Sequence, residues 1–233
     1  MRKILSLTRK VCEEYSLIEK GDKIAIGISG GKDSLSLLYV LSQYKKYILN
    51  DFEIVAIAVD LSGGKNDYSK IKEFCENLNV DFIIVPSNVF EIVFEIRKEK
   101  NPCSLCANLR RGLLNSKAKE LGCNKVALGH HRDDLIETFL LSLFFEGRMS
   151  TFKPSSYLSR TDINVIRPLL YCEEKDLAKE SINFPVLKNL CPADKNTQRE
   201  KAKSILATLE SLYPNCKEKL FNAIIHKERY NLF

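Results

Sequence analysis

Short apolar runs and helical repeats alternate along the chain. Runs rich in Ile, Val and Ala are separated by segments in which apolar residues recur every three or four positions. Because the runs carry apolar residues at successive positions, both faces of each predicted strand are expected to be covered, as in a parallel sheet between helices. The predicted strands are 23–29, 53–60, 81–86, 125–130 and 165–170, and the predicted helices are 2–19, 33–46, 68–79, 104–121, 173–182, 196–212 and 216–228.

This alternation predicts an α/β fold: a doubly wound, mainly parallel five-stranded sheet with helices on both faces, followed by a helical C-terminal section. We expect an N-terminal helix in residues 1–20, a core in residues 21–170 and a helical extension in residues 171–233 that packs on the core. Residues 150–161 contain Pro154 and several serines and are expected to form a mobile loop. Pro168 predicts that the last strand lies near an edge of the sheet or ends there.

Composition narrows this picture to one main domain. The chain has 233 residues, of which 45% are apolar, enough for one sizeable core. Its eight cysteines could suggest disulfides, but the N-terminal residues do not form the apolar stretch of a secretory signal. We therefore expect a cytoplasmic protein with reduced cysteines, some of which act as ligands. The longest apolar segment, 135–145, contains polar residues and is too short to span a bilayer, so no membrane role is expected.

The net charge of +6 is modest but unevenly placed. Basic residues crowd the segment 97–132 and recur in the segment 195–203. Such a distribution is compatible with a polyanionic partner, and an ordinary solvated basic face is the alternative.

The first predicted strand runs directly into a glycine-rich loop, Ser29-Gly30-Gly31-Lys32-Asp33-Ser34. Two glycines allow backbone N–H groups to approach an anion closely, and the helix that follows directs its unpaired N–H groups at the same place. Lys32 adds a positive charge, and an acidic residue beside the phosphates indicates that Asp33 helps to bind magnesium. The six residues therefore predict a site for the phosphates of a nucleotide. An ordinary strand-to-helix turn is the structural alternative.

The second predicted strand is expected to end beside this loop. Its last apolar residues, Ala58 and Val59, are therefore candidates for contact with an adenine base, mainly through backbone groups. The loop that follows, residues 61–66, could close over the nucleotide or be a plain surface turn.

Two cysteines, Cys103 and Cys106, have C-x-x-C spacing at the start of a predicted helix. This spacing lets both sulfurs face one metal ion or each other. Their place at a helix start, with Arg110 and Arg111 nearby, favours thiolates. From the residues alone, a redox dithiol, a pair of zinc ligands, a pair of iron–sulfur ligands and an accidental spacing of buried cysteines all stay open.

The fourth predicted strand leads into the run Gly129-His130-His131-Arg132-Asp133-Asp134 at the start of another helix. Gly129 allows close approach at the strand end, and carboxylates at a helix N-terminus are stabilised by the helix dipole. We expect Asp133 to place magnesium or the reacting groups, with His130 or His131 lining the pocket. A capping role is the alternative for Asp133, and the roles of Asp134 and Glu137 stay open.

These motifs resemble a known family at two levels. The loop Ser29–Ser34 is similar to the signature of the PP-loop ATPases, in the adenine nucleotide alpha hydrolase-like superfamily, which cleave ATP to AMP and pyrophosphate while adenylating a carbonyl group. The combined motifs resemble the tRNA 2-thiocytidine synthetase (TtcA) family over roughly residues 3–226. The segments that carry this second resemblance are Cys103–Cys106, Leu109–Leu113, Ala127–Asp134, Arg167–Tyr171 and Glu174–Asp176.

The resemblance implies an ATP-dependent tRNA sulfurtransferase that replaces an oxygen by sulfur, with a cytidine of the anticodon loop as the expected target. In this family three thiolates bind a 4Fe-4S cluster, which implies Cys103, Cys106 and Cys191 as ligands here. Members carry a second C-x-x-C near the C-terminus, but Lys188 stands in place of its first cysteine. That cysteine is therefore dispensable in this chain, or the route of sulfur differs.

The resemblance also implies roles for charged residues. Lys32 is expected to neutralise the pyrophosphate, and Asp33 with Asp133 to hold Mg²⁺. Arg110 and Arg111 are expected to steady the tRNA phosphates or the developing charge. The implied partners are tRNA and a sulfur donor such as a cysteine desulfurase or free sulfide, and a homodimer is left open.

Two other functions compete with this one. A tRNA lysidine synthetase-like ligase also adenylates a cytidine carbonyl, but it uses an amine nucleophile and has no need of the three cysteines. A zinc-stabilised RNA-binding module with a silent nucleotide site is the alternative that is not an enzyme. The remaining cysteines are expected to be packed thiols; they are Cys12, Cys75, Cys123, Cys172 and Cys216.

Overall fold

The computed structural model describes residues 1–47, 51–97, 102–188, 191 and 198–229. The strands are β1 (Lys23–Ile28), β2 (Glu53–Asp60), β3 (Asp81–Pro86), β4 (Lys125–Ala127), β5 (Ser155–Leu158) and β6 (Ile163–Ile166). The helices are α1 (Arg2–Glu14), α2 (Lys32–Tyr47), α3 (Ser69–Asn77), α4 (Pro102–Glu120), α5 (Arg132–Glu146), α6 (Glu174–Glu180), α7 (Gln198–Leu212) and α8 (Cys216–Ile225). A π-helix (Glu91–Ile96) precedes α4, and a 3-10 turn (Lys227–Arg229) follows α8.

The strands form one sheet in the order β3-β2-β1-β4-β6-β5. Neighbouring strands pair in parallel, except that β5 pairs antiparallel with β6. In register, Ile28 at the end of β1 lies opposite Ala58 of β2, and Ile26 lies opposite Ala127 at the end of β4. The carboxyl ends of the three central strands therefore meet at one edge, where ligands bind in such sheets.

Alternate residues of β1 face two separate apolar cores. Ile24, Ile26 and Ile28 pack with residues of α1, α2 and α5 on one face of the sheet. Ala25 packs on the other face, in a smaller core that includes Leu114 of α4. Helices therefore cover both faces, which confirms the doubly wound, mainly parallel fold predicted from the near-continuous apolar runs.

The predicted count of five strands missed one edge strand. Within the stretch 150–161, expected to be a mobile loop, β5 pairs Ser155 with Ile166 and Leu158 with Ile163. The tip of this hairpin is closed by a hydrogen bond of 3.0 Å from the Tyr157 hydroxyl to Asp162. Because an edge strand has one neighbour and needs no continuous apolar run, the serine-rich sequence gave no strand signal. The loop prediction is wrong for residues 155–158.

Two predicted elements are shorter than expected for visible reasons. Helix α1 ends at Glu14 because Ser16 has a φ of +48°, after which the buried Leu17 leads the chain back toward the sheet. Strand β6 ends at Ile166, before Pro168, and lies next to the edge strand, as the proline predicted.

The C-terminal helices lie against the core. Helices α7 and α8 both contact α5, and α6 contacts α2. Over the ranges described above, no helix has the length and apolar character required to cross a membrane. The division of the chain at residues 20 and 170 stays a prediction.

Candidate functional site

The loop between β1 and α2 is held in shape by its own side chains. The Ser34 hydroxyl accepts hydrogen bonds from the backbone N–H and the hydroxyl of Ser29, both at 3.1 Å, and donates to the carbonyl of Gly31 at 2.9 Å. Gly30 has a φ of +82°, a conformation that favours glycine. The loop is therefore already folded around the start of α2, where N–H groups collect to bind anions.

Lys32 keeps its charge beside this loop. Its ammonium group lies 3.0 Å from both Asp33 and Glu174. Burial lowers the pKa of Lys32, but the two carboxylates outweigh burial and hold that pKa above its ordinary value. Lys32 therefore stays positively charged. To contact the phosphate oxygens of a bound anion, its ammonium group has to leave the two carboxylates.

Gly129 lies against the backbone of the nucleotide loop. A Cβ atom at this position would lie 2.9 Å from the carbonyl group of Asp33 and 3.1 Å from the nitrogen of Ser34. Only a residue without a side chain fits such a contact with backbone atoms. The close approach expected at the end of the fourth strand is therefore present, and it presses the β4–α5 connection onto the loop.

The start of α5 is a capping box built from His131 and Asp134. The Nδ1 atom of His131 accepts a hydrogen bond from the N–H of Asp134 at 3.4 Å, and the Asp134 carboxylate accepts one from the N–H of His131 at 3.1 Å. The Nε2 atom of His131 also lies 3.7 Å from the carboxylate of Asp33. His131 therefore links this helix start to the nucleotide loop.

Asp133 does not line the cavity at the nucleotide loop. Its carboxylate accepts hydrogen bonds from the N–H of Glu174 at 2.8 Å and from the ammonium group of Lys217 at 3.1 Å. Burial raises the pKa of Asp133, but these two donors outweigh burial and bring the pKa below its ordinary value. Asp133 lines a separate cavity of about 510 Å³, whereas Asp33 and Asp134 line the cavity at the loop.

The main cavity, of about 610 Å³, lies over the carboxyl ends of β1 and β4. Ser29, Asp33 and Ser34 of the nucleotide loop line one part of it, together with Gly129 and His130. At the end of β2, Ile57 and Val59 line the cavity, while Ala58 is fully buried in the larger core. Four arginines also line it: Arg110, Arg111, Arg167 and Arg199.

His130 is uncharged at neutral pH. The imidazole ring of His130 packs on the phenyl ring of Phe152 with 5.0 Å between the ring centroids. The guanidinium carbon of Arg167 lies 5.0 Å from the centroid of the Phe152 ring. Burial is the main cause that lowers the pKa of His130 to about 4, and the charge of Arg167 lowers it further. The cavity wall therefore combines a neutral imidazole, a phenyl ring and a guanidinium group, a surface suited to a flat polar ring.

The C-x-x-C pair opens α4, and Cys191 lies close to it. Cys103 is exposed, whereas Cys106 and Cys191 are half-buried. Burial raises the pKa of the Cys106 thiol, Arg110 opposes this rise, and the nearby Cys191 and Cys103 add to it. The three thiols are thus electrostatic neighbours. In the segments that the structure covers, no three metal-binding side chains form a ready-made metal site.

The segment before Cys191 crosses the nucleotide loop. The backbone N–H of Leu187 donates to the carbonyl oxygen of Gly30 at 2.9 Å. The Leu187 side chain also covers Gly30 so closely that a Cβ atom there would lie 2.9 Å from it. Earlier in this segment, the Phe184 ring packs on Tyr39 and Phe74. Cys191 therefore follows a segment that is anchored on the loop.

The other five cysteines lie away from these thiols. Cys12, Cys75, Cys123 and Cys172 are buried and Cys216 is half-buried, and none of them forms a disulfide. Burial raises the pKa of Cys12, Cys75 and Cys172 to about 12. These thiols stay protonated at neutral pH and agree with the packed role expected for them.

Sequence reasoning did not single out three of the cavity-lining residues as parts of the site. Phe152 belongs to the stretch expected to be a mobile loop, and Arg167 directly follows β6, the strand next to the edge strand β5. Arg199 lies on a C-terminal helix far along the chain. Arg167 opens one of the segments of the family resemblance, but no role was expected for it, and only the basic character of residues 195–203 pointed toward Arg199.

A phosphate-binding loop at the carboxyl end of β1, in a doubly wound sheet, is the arrangement of a PP-loop protein. The PP-loop domain family matches residues 2–184. Among curated relatives, the tRNA-cytidine(32) 2-sulfurtransferase of Cytophaga hutchinsonii is 43% identical over 230 residues, which cover 95% of this chain and 79% of that protein. The enzyme of the same name from Methylobacillus flagellatus is 38% identical, with 98% and 77% covered. The chain therefore belongs to the tRNA-cytidine(32) 2-sulfurtransferase family.

A solved structure is similar over almost the whole chain. The U34-tRNA thiolase NcsA from Methanococcus maripaludis, with its 4Fe-4S cluster, aligns with a TM-score of 0.74 and 26% identity. The alignment covers 97% of this chain and 78% of NcsA. The likeness thus extends past the sheet into the C-terminal helices.

Proposed function

We propose that the protein is an ATP-dependent sulfurtransferase that replaces the 2-oxygen of a tRNA cytidine by sulfur. The observation that carries this proposal is a single cavity between the nucleotide loop and the C-x-x-C helix. Ser29 and Asp33 line one side, and Ala107 and Arg110 line the other, where Arg110 acts on the Cys106 thiol. The names of the relatives support cytidine 32 as the target.

The proposed reaction has two displacement steps. First, the carbonyl oxygen of the cytidine attacks the α-phosphorus of ATP, and the bond to the pyrophosphate oxygen breaks. Pyrophosphate leaves and the base carries AMP on its former carbonyl oxygen. A sulfur nucleophile then adds to the same carbon, and AMP leaves with that oxygen.

The nucleotide loop would provide the first step with charge and position. Backbone N–H groups of Gly30 and Gly31 and the ammonium group of Lys32 would hold the phosphates, with Ser29 and Ser34 keeping the loop in shape. Val59 and the backbone of Ala58 would contact the adenine. Arg110 would stabilise the charge that develops on the reacting groups.

Magnesium would be held first by Asp33, which lines the cavity and lies next to the phosphate-binding residues. Asp133 is the second candidate, because it lies 3.9 Å from the imidazole that contacts Asp33. To bind a metal ion, Asp133 would have to release Lys217. Asp33 is likewise paired with Lys32, but Asp33 lines the cavity at the loop and Asp133 does not, so we assign Asp33 the larger part.

The chemistry of the three thiols fits a 4Fe-4S cluster. Thiolates are the usual ligands of such clusters, and Cys103, Cys106 and Cys191 are neighbours. Cys103, Cys106 and Cys191 would hold the cluster, and the cluster would supply the sulfur for the second step. Arg110 would favour the thiolate form of Cys106.

The remaining assignments follow from this reaction. We propose tRNA as the partner, bound in part by the basic residues of α4, and a cysteine desulfurase or free sulfide as the sulfur donor. We also propose a cytoplasmic location, where tRNA and reduced thiols occur together, and a homodimer as the assembly.

The test is a thiolation assay under anaerobic conditions. Purified protein is reconstituted with iron and sulfide and incubated with ATP, Mg²⁺, sulfide and a tRNA transcript, and the nucleosides are analysed by mass spectrometry. We expect 2-thiocytidine together with AMP and pyrophosphate. Cys106→Ala should lose iron and thiolation while ATP binding is kept, because the cysteine lies outside the loop.

Cys216→Ala is the matched control, since Cys216 is half-buried and lies on a different helix. It should keep both iron and activity. If no 2-thiocytidine formed, and Cys106→Ala without iron released AMP and pyrophosphate as fast as the wild-type protein, a lysidine synthetase-like ligase would be the better assignment. Bound zinc without iron, and no pyrophosphate in the presence of tRNA, would instead indicate an RNA-binding module.

A further inference from the structure

Arg199 brings a guanidinium group from the C-terminal section into the main cavity. It is the second residue of α7, and its side chain is 40% exposed. In the part of the chain that the structure describes, it is the one cavity-lining residue beyond position 170. Because Arg110 and Arg111 line the cavity from α4, the cavity receives positive charge from two separate elements.

Three residues of α5 hold Arg199 in place. Its Nη1 atom donates to the Asp134 carboxylate at 2.6 Å and lies 3.6 Å from the Glu137 carboxylate. Its Nη2 atom donates to the Thr138 hydroxyl at 3.4 Å. Among the described contacts, these hydrogen bonds use two of the five N–H donors of the guanidinium group. The side chain is thus fixed on one side and keeps donors for another acceptor.

The residues that hold Arg199 are coupled to the nucleotide loop. Asp134 accepts one hydrogen bond from Arg199 and one from the N–H of His131. His131 in turn lies 3.7 Å from Asp33. Arg199 is therefore linked to the nucleotide loop by three contacts through two residues, Asp134 and His131, and both Arg199 and the loop line the same cavity.

We propose that Arg199 binds a phosphoryl oxygen of the substrates in this cavity, and that Asp134 and Glu137 position it. A planar guanidinium group with spare donors in a cavity lined by other arginines matches a phosphate, which can accept two parallel N–H hydrogen bonds. The phosphate belongs either to the nucleotide or to the RNA backbone. The inference rests on the proposed function and adds a substrate-binding residue to it.

The experiment compares Arg199→Ala and Arg199→Lys with Lys201→Ala. Lys201 is an exposed cation two residues further along α7 that does not line the cavity, so it matches the change in charge. Affinity for ATP is measured by calorimetry, and affinity for a tRNA transcript by filter binding at several salt concentrations. Neither measurement requires thiolation, so a failure of the proposed sulfur chemistry does not obscure the result.

The two affinities identify which phosphate is bound. If it belongs to the nucleotide, Arg199→Ala should weaken ATP binding about ten- to 100-fold and leave tRNA binding unchanged. If it belongs to the RNA, tRNA binding should weaken and its salt dependence should fall by roughly one phosphate contact, with ATP binding unchanged. In either case Arg199→Lys should restore part of the loss, because the lysine keeps the charge but not the fork of donors.

A purely structural role predicts a different outcome. In that case, Arg199→Ala would lower the unfolding temperature and leave both affinities within twofold of those of Lys201→Ala. This result would overturn the proposal. The proposal would also be overturned if Arg199→Lys lost as much affinity as Arg199→Ala, since the charge of the side chain would then play no part.

Discussion

The nucleotide loop and the cysteine site lie at the same edge of the sheet but are built in opposite ways. The loop is held by hydrogen bonds among Ser29, Gly31 and Ser34, which are close neighbours in the sequence. The cysteine site joins the start of α4 to Cys191, which lies beyond the sheet and α6. The loop depends on local conformation, whereas the cysteine site depends on the whole fold.

This difference separates two kinds of functional site. A local site keeps its shape when distant parts of the protein move, which suits the binding of phosphates. A site assembled from distant segments changes when the packing of those segments changes. This property suits the cysteine site, which the proposed reaction uses only after the base has been adenylated. Substitutions near each region should therefore have separable effects.

The largest effect is expected from Gly129→Ala, which acts where the β4–α5 connection meets the nucleotide loop. The added Cβ atom would lie 2.9 Å from the backbone of Asp33, so the start of α2 has to shift. We expect ATP affinity to fall by about 100-fold and the unfolding free energy to fall by about 1–3 kcal/mol. Calorimetry and thermal unfolding measure the two changes, and iron content after reconstitution should stay unchanged.

Gly112→Ala provides the control for this substitution. Gly112 lies in α4, and a Cβ atom there would meet no other atom within 4 Å. Replacement should leave ATP binding unchanged and stabilise the helix by up to about 1 kcal/mol. Equal ATP affinity in Gly129→Ala and the wild-type protein would show that the loop does not need this close approach.

The next effect concerns Glu137, a buried residue that lies 3.6 Å from Arg199 of the cavity lining. Burial is the main cause that raises its pKa to about 7; Lys203 and Arg199 oppose this rise, and Asp134 and Glu174 add to it. The folded state therefore binds a proton between about pH 4.5 and 7 that the unfolded chain has already lost. Stability should fall as the pH rises through this window.

We expect the wild-type protein to lose up to about 2 kcal/mol of unfolding free energy between pH 5 and pH 8 that Glu137→Gln does not lose. Denaturant titrations at a series of pH values measure the difference. Glu76→Gln, at an exposed position on α3, should follow the wild-type curve. Parallel curves for Glu137→Gln and the wild-type protein would mean that Glu137 is ionised at neutral pH.

The smallest of the three effects is expected from Leu187→Ala, which acts on the connection between the two regions. The substitution removes a side chain that covers Gly30 and keeps the backbone hydrogen bond. We expect iron occupancy and thiolation rate to fall by about fivefold to tenfold as Cys191 loses part of its anchor. ATP affinity should change less than twofold.

Val186→Ala is the neighbouring control, because Val186 is 49% exposed. It should leave iron occupancy at the wild-type level. If Leu187→Ala weakened ATP binding more than iron binding, the loop would depend on the distant segment, and the contrast between a local and an assembled site would be lost.

The sequence was informative where structure is local. Strands β1, β2 and β3 were predicted close to their observed bounds, and the glycine-rich loop lies between β1 and α2 as predicted, because both signals lie within a few neighbouring positions. Strand β4 ends at Ala127, three residues before its predicted end. Strand β5 escaped notice because an edge strand tolerates serines. The direction of Asp133 could not be inferred either, since α5 meets Lys217 of α8 only in the folded chain.

The assembled parts of the site needed other information. Cys191 was joined to Cys103 and Cys106 only through a family resemblance, because no spacing relates residues so far apart. Only the basic character of residues 195–203 drew attention to Arg199. Its role becomes visible when α7 packs on α5 and the side chain meets Asp134, a contact between two helices that no local pattern specifies.

The hydrogen bond between Leu187 and Gly30 also sets a limit on distance. Three residues separate Leu187 from Cys191, so the two Cα atoms can be at most about 14 Å apart even when the chain is fully extended. Whatever conformation those residues adopt, the Cα atom of Cys191 stays within this distance of Leu187, which is hydrogen-bonded to the phosphate-binding loop. This short connection keeps the effective concentration of the Cys191 thiol near the nucleotide loop high. Inserting residues between Leu187 and Cys191 would lower that concentration.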